Sequence, residues 1–308
     1  MFTAHPSRRA VTAGAVLATA LVLAGCSSSN PLEDPTSESN TGDGDTTSAI
    51  VVGSQAYYSN EIIAEIYAQA LESDGYTVER QFSIGQRDAY MPEVTSGAID
   101  LFPEYTGNLL EFLDPEASAT SPEDVYAALQ EALPEGLAAL DFADASDQDT
   151  YTVLTSFAEE HDLVTIGDLA GVDGELIIGA APEFEQRPYG PAAAAEVYGV
   201  DLTFSATGPT TLESLQAGEI QVADIYSADP AFDTGEIVAL EDPENLILSS
   251  NVVPIASADV AGDIAAVIDP ISAALTTEAL VALNARSTVD QMSTPDIATA
   301  WLEENGLL

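Results

Sequence analysis

From Ala49 onward the hydrophobic pattern switches between two periods, and that alternation limits the fold more than any other feature of the chain. Ile50-Val51-Val52 is a short, fully apolar run of the kind a buried strand needs. Residues 60–73 then place Ile62, Ile63, Ile66 and Ala70 at helical spacing, and Tyr76-Thr77-Val78 begins another strand. The rhythm continues through a strand at 98–102, a helix at 108–113, a helix at 122–133 with Ser121 as its N-cap, and an apolar run at 138–142. A second cycle starts after Asp149. It places strands at 151–154, 175–179, 202–204 and 222–226, with helices at 158–162, 191–198 and 210–217 between them. Residues 251–256 read as one more strand, and helical segments at 259–283 and 294–304 close the chain, with Trp301 in a core. Strands alternating with helices predict sheets covered by helices, and two cycles predict two α/β lobes.

Such a fold needs ample apolar material, which 46% hydrophobic residues against 19% charged ones supply, and this argues against wholesale disorder. The length of 308 residues fits one or two domains. Nearly all the charge is acidic: 52 Asp and Glu stand against six Arg and no Lys, for a formal net charge of −46. Phosphate binding needs clustered cations, so a sequence-independent nucleic-acid partner is excluded. Adaptation to concentrated salt and a codon bias toward Ala, Gly, Asp, Glu and Arg both account for this balance. Either way the protein's field repels anions and concentrates cations.

The first 25 residues have signal-peptide anatomy: Arg8 and Arg9, an uncharged apolar stretch at 10–23, then Leu23-Ala24-Gly25-Cys26. The stretch is too short for a comfortable transmembrane helix. Its last four residues resemble a lipobox, which implies cleavage before Cys26, lipidation of its thiol and an extracytoplasmic protein held at the membrane. Ser7-Arg8-Arg9 leaves both Sec and Tat export open. Cys26 is the only cysteine, so neither an internal disulfide nor a zinc site of several thiolates is available. Residues 27–48 contain no aromatic residue and one large aliphatic, Leu32, and read as a flexible tether. A coil of that length spans roughly 25 Å root-mean-square. Asp43-Gly44-Asp45 does not open a calcium loop, because Ser54 stands where the closing Glu is required.

Enzyme chemistry has little to work with. His161 is the one histidine beyond the leader, and Ala-Glu-Glu-His-Asp-Leu reads as the polar end of a helix. No Lys is present for a Schiff base, and Cys26 is no nucleophile once lipidated. No phosphate-cradling glycine loop appears. Chance pairs among 52 acids carry no diagnostic weight for glycoside hydrolysis. The expectation is a non-enzymatic protein with no cofactor and no metal; a cell-surface hydrolase using a carboxylate pair is the alternative.

Several motifs then fall in one order: Val51-Val52-Gly53-Ser54, Glu61 to Leu71, Ser96-Gly97-Ala98-Ile99-Asp100-Leu101-Phe102-Pro103-Glu104-Tyr105-Thr106-Gly107, Pro182 to Pro188, Val197-Tyr198-Gly199, Val222 to Ser227 and Val238 to Asp242. In these the chain resembles the substrate-binding proteins of osmoprotectant ABC importers, those for glycine betaine, choline and related compounds. The resemblance covers nearly all of 50–308, and Pro-Glu-Tyr-Thr-Gly is its most specific element. It implies an α/β, two-lobe periplasmic-binding-protein-like fold of type II, with a ligand cleft and two interlobe crossovers. Lobe 1 would comprise 49–147 plus 252–308, and lobe 2 would comprise 148–251. It also implies a permease and its ATPase as partners.

A quaternary ammonium cannot donate hydrogen bonds and is held by ring faces instead. The resemblance assigns cage walls to Tyr105, Tyr151 and Tyr226, and gives Arg187 the task of holding a ligand carboxylate by paired hydrogen bonds. Asp149 would favour a cation beside the cage. The pattern departs from the family at three places. Ser250-Asn251 stands where a further tyrosine is usual, so one wall is missing. Tyr57-Tyr58-Ser59-Asn60 replaces Phe-Thr-Glu-Gln, which makes Tyr58 a compensating ring and puts Asn60 at the Gln position. Asn108 replaces a Thr whose hydroxyl meets the ligand. These shifts leave another cationic or zwitterionic solute open as the ligand.

Overall fold

The computed structural model describes residues 49–308. The leader, Cys26 and the tether at 26–48 lie outside the described residues. The first cycle builds β1 (Ile50–Gly53), α1 (Tyr58–Ser73), β2 (Val78–Gln81), α2 (Arg87–Thr95), β3 (Leu101–Tyr105), α3 (Thr106–Leu113), α4 (Pro122–Ala132) and β4 (Leu137–Ala139). The second builds β5 (Tyr151–Leu154), α5 (Thr155–His161), β6 (Leu176–Ala180), α6 (Pro191–Tyr198), β7 (Leu202–Ala206), α7 (Thr211–Gln216), β8 (Val222–Asp224) and β9 (Ile237–Ala239). The chain closes with β10 (Val252–Ser257), α8 (Ala258–Ala274), α9 (Thr277–Thr288) and α10 (Thr294–Asn305).

The strands form two five-stranded mixed sheets, ordered β2-β1-β3-β10-β4 and β7-β6-β8-β5-β9. In the first, β1 is parallel to β2 and β3, whereas β10 is antiparallel to β3 and β4. In the second, β6 is parallel to β7 and β8, whereas β5 is antiparallel to β8 and β9. Each antiparallel strand is the one that arrives by a traverse from the other sheet, β5 after residues 140–150 and β10 after 240–251. The two traverses lie side by side. Ala143 N donates to Val252 O at 2.8 Å, Val252 N to Ala145 O at 2.9 Å and Asp147 N to Ser250 O at 3.2 Å.

Alternation along the strands sends neighbouring side chains to opposite faces, and both faces of both sheets are covered. On one face of the first sheet, α1 buries Ile62, Ile63, Ile66, Tyr67 and Leu71 completely, beside Trp301 of α10. Each such aliphatic side chain contributes about 1.5–3 kcal/mol on burial. The other face holds Phe102, Leu109, Val125 and Leu129, with Tyr90 stacked on Phe102 at 4.1 Å. Ile178 and Val222 face one core of the second sheet, and Ala223 and Ile225 face the other.

Besides shifts at element ends, with β3 at Leu101–Tyr105 where a strand at 98–102 is expected and β4 stopping at Ala139 in the run 138–142, the structure departs from the periodicity in three places. Helix α2 lies where no element was expected; it is short and carries Pro92 inside it, so it presents only Tyr90, Met91 and Val94 as buried apolar residues. Strand β9, three residues long, was also not expected. The segment expected as one helix at 259–283 is two, α8 and α9, meeting at 90°. Thr276 causes the break: its side chain accepts from Ala279 N at 3.2 Å and starts a new helix. No single helix among the described residues is long and apolar enough to cross a membrane.

Candidate functional site

Loops that follow the strand ends of both sheets converge on a narrow, polar cavity, part of it open to solvent. Carboxyl ends of parallel strands are where open α/β sheets place ligands. Gln55 and Tyr57 follow β1, and Tyr105 ends β3 with Asn108 on the first turn of α3. Glu183, Phe184, Arg187 and Tyr189 follow β6, Asp224 ends β8 ahead of Tyr226, and the first traverse supplies Asp147 and Asp149.

The Pro-Glu-Tyr-Thr-Gly stretch sets one wall of this cavity. Glu104 is 1% exposed, and its carboxylate accepts from Arg87 Nε and Nη2 at 2.8 Å each, Tyr90 OH at 2.6 Å and Tyr105 N at 3.0 Å. With that many donors satisfied it clamps the wall together. A Cβ on Gly107 would sit 2.7 Å from Ser249 O and 2.8 Å from Leu248 O, so only glycine lets α3 start against the returning traverse. The traverse in turn satisfies the orphan donors of α3. Thr106 N donates to Asn251 O at 2.9 Å, and Asn108 N donates to Ser250 Oγ at 3.0 Å. Position 250, the missing wall, therefore serves as a helix cap, fully buried.

Tyr57, Tyr105, Tyr189 and Tyr226 all line the cavity. The rings of Tyr57 and Tyr226 pack against each other, one from each sheet's side, with centroids 4.8 Å apart. Burial raises the hydroxyl pKa of all four above the ordinary tyrosine value, so they present neutral ring faces. Among the residues expected at the site, Tyr105, Asn108, Asp149, Arg187 and Tyr226 line the cavity. Tyr58, Asn60 and Tyr151 sit elsewhere. Tyr58 lines an outer groove and donates to Asp229 Oδ2 at 3.3 Å. Asn60 is fully buried and holds the wall from behind, accepting from Gln55 N at 3.0 Å and donating to Pro103 O at 2.7 Å. Tyr151, 1% exposed, donates to Tyr189 O at 2.8 Å and so fixes the loop that carries Tyr189 and Arg187. Tyr57, Tyr189, Arg87, Asp147 and Asp224 were not anticipated. Tyr57 differs from Tyr58 only by preceding α1, where extended backbone turns its ring to the cavity.

The cavity is rich in buried acid. Asp147 accepts from Ser59 Oγ at 3.0 Å and Ala228 N at 3.2 Å, and burial still pushes its carboxyl up to about 7. Burial, and after it the charge of Asp149, raises Asp224 well above the usual carboxylate range, and its Oδ1 has no partner among the described residues. Asn108 Nδ2 ties the two sides together, donating to Asp149 Oδ2 at 2.8 Å and Tyr189 OH at 2.9 Å. Among the described residues, Arg187 has no carboxylate within 4.0 Å, and no cluster of three or more His, Cys, Asp or Glu side chains could hold a metal ion. Neutral ring faces, acids and one free guanidinium suit a small solute with a cationic head and, where it has one, an anionic end.

Two mixed sheets with a cleft between them have the fold of type II periplasmic binding proteins. Residues 48–304 match the family described as the substrate binding domain of ABC-type glycine betaine transport systems, and the chain belongs to that family. The family is one of extracytoplasmic solute-binding proteins, not of enzymes. The chain is similar to the glycine betaine-binding protein YehZ of Escherichia coli (strain K12), 24% identical over 278 residues that cover 84% of this chain and 91% of that protein. A glycine-betaine-binding protein of Pseudomonas aeruginosa is 25% identical over 281 residues, 83% of this chain and 88% of that one. Among solved structures, a glycine betaine/carnitine/choline ABC transporter protein superposes with a TM-score of 0.70 at 17% identity, covering 84% of this chain and 99% of that chain.

Proposed function

We propose that this protein captures a quaternary-ammonium solute of the glycine betaine or choline class in a tyrosine cage and delivers it to an ABC permease driven by a cytoplasmic ATPase. The observation that carries this reading is the convergence of Tyr57, Tyr105, Tyr189 and Tyr226 with buried Asp147, Asp149 and Asp224 on one cavity. Each ring face contributes about 0.5–2 kcal/mol to a desolvated ammonium. Arg187 holds the carboxylate of a zwitterionic ligand. Asn60 and Tyr151 act behind the walls, and Tyr58 with Asp229 forms a latch at the mouth. The lobes are 49–147 plus 252–308 and 148–251, and they close because a ligand touching both binds the closed state better. Cys26 carries the lipid that keeps the receptor at the membrane, and the tether leaves it free to turn.

The test is calorimetric titration of the full chain, purified in detergent, with glycine betaine, choline, carnitine, ectoine and proline at low and at molar salt. Saturable binding of glycine betaine or choline supports the reading. Binding of ectoine or proline alone replaces it with another zwitterion, and turnover of a ligand replaces it with an enzyme.

A further inference from the structure

Beside the narrow central cavity lies a roomier groove of about 450 Å³, partly open to solvent. Tyr57, Gln86, Ala181, Glu183, Asp224 and Tyr226 line both, so the two adjoin along a shared wall. Three rings run along that wall: Tyr58 meets Tyr57 edge-on with centroids 4.8 Å apart, and Tyr57 meets Tyr226 at the same distance. The second sheet's side adds Ile225 and Leu212, both packed into one of its cores, together with Pro182 and the exposed Pro209. Polar groups on this lip are already occupied. The hydroxyls of Thr207 and Thr211 are hydrogen-bonded at 2.6 Å, and Thr211 Oγ1 donates to Gly208 O at 2.7 Å. A hydrocarbon chain lying there breaks no hydrogen bond and loses its own contact with water.

The charged residues in the groove's lining are Glu183, Asp224 and Asp229, all acids. Asp229 accepts from the Tyr58 hydroxyl at 3.3 Å, whereas Asp224 Oδ1 is buried without a partner among the described residues, at the joint between groove and cavity. Such a lining attracts a positive head and repels a tail that ends in a carboxylate. The tail that fits it carries no charge.

We propose that this groove is a subsite for the uncharged alkyl tail of quaternary-ammonium compounds longer than choline. The head sits among the tyrosines beside Asp224, and the chain runs along Tyr57 and Tyr58 toward Leu212 and Pro209. The proposal rests on the quaternary-ammonium reading above. A fully buried methylene adds roughly fourfold in affinity, so covering half of four extra methylenes adds about tenfold.

The experiment titrates the full chain with choline, with ethyl-, butyl- and hexyltrimethylammonium and with a six-carbon trimethylammonio-carboxylate, in wild type and in Leu212→Asn. Chains this short stay in water rather than in detergent micelles. The expected result is a Kd at least tenfold lower for the hexyl than for the ethyl compound, with that gain cut at least threefold in Leu212→Asn while choline stays within twofold. The six-carbon carboxylate, whose end the acids turn out of the groove, is expected to lose less than twofold in the variant. No gain with length, a gain untouched by Leu212→Asn, or a loss for the carboxylate equal to that of the hexyl compound overturns the subsite and leaves the cage reading standing. If wild type binds neither choline nor the ethyl compound, the cage reading fails and the subsite with it. Should Leu212→Asn lose choline as well, Pro209→Asn on the exposed rim decides: it is expected to weaken the hexyl compound at least threefold and spare choline, and an equal loss or none overturns the proposal.

Discussion

Arg87 and Arg187 line the same cavity, one from the side of each sheet, and their surroundings set them to different tasks. Arg87 is 6% exposed and gives two hydrogen bonds of 2.8 Å to Glu104, which Tyr90 and the backbone of Tyr105 also hold. Its charge is spent inside the wall. Arg187 is half-buried and, among the described residues, makes no ion pair. Its charge is available to a ligand. In a chain with six arginines, both are conspicuous by scarcity, yet scarcity identifies only the available one. The difference comes from which neighbours are satisfied, and that decides whether a cation is scaffold or anchor.

The sharpest way to break the comparison is to remove each guanidinium in turn. Arg87→Met strands Glu104 as an unpaired buried charge and should cost about 3–5 kcal/mol of stability in urea unfolding. The double variant with Glu104→Leu should recover most of that loss. Arg187→Met should leave stability within about 0.5 kcal/mol, as for other substitutions away from packed or paired groups. Its effect belongs in the ligand: glycine betaine should bind about 10–100-fold more weakly, because a hydrogen bond to a charged group is worth about 1.5–3 kcal/mol, whereas choline should not change. Tyr105→Ala and Tyr226→Ala come next, each weakening choline and glycine betaine alike by about tenfold or somewhat more, since a desolvated ring face contributes up to about 2 kcal/mol. Unchanged affinity in both would remove the rings from the site.

The smallest effect on ligand binding is one of pH. The Asp147 carboxyl is pushed up to about 7 by burial, and an unfolded Asp titrates at about 4. The folded state thus holds a proton that the unfolded chain releases, so Asp147 lowers stability as pH rises from about 4 to about 7. Asp147→Asn should flatten that part of the stability profile. Choline should bind severalfold more tightly at pH 8 than at pH 5.5 as Asp147 ionises, and the variant should lose this dependence.

Much of the architecture was legible because burial imposes its period on the chain. Ile62, Ile63 and Ile66 announce α1, and the apolar triplet Ile50-Val51-Val52 announces β1. Helix α2 was not legible, since a nine-residue helix with Pro92 inside has too few turns to show a period. Of the site, motif matching reached Tyr105, Asn108, Asp149, Arg187 and Tyr226, which lie on short stretches next to strand ends. It did not reach Tyr57 or Tyr189. Tyr57 becomes a wall through a backbone change one residue ahead of Tyr58. Tyr189 is placed by its hydrogen bond from Asn108, 81 residues earlier in the chain, a pairing with no local signal. Ser250 carries the same lesson: as a sequence change it is a lost ring, and in the fold it is the cap of α3.

The central claim is that methyl groups on nitrogen are read by ring faces. It is tested most directly by titrating the protein with choline and with ethanolamine, which keeps the chain and hydroxyl but replaces the quaternary nitrogen with a primary ammonium. The account predicts saturable choline binding and at least a tenfold loss for ethanolamine, whose hydrated ammonium finds too few acceptors among the rings. Equal affinity for the two, or tighter binding of ethanolamine, would mean that the buried acids hold the ligand and that the tyrosines are only walls.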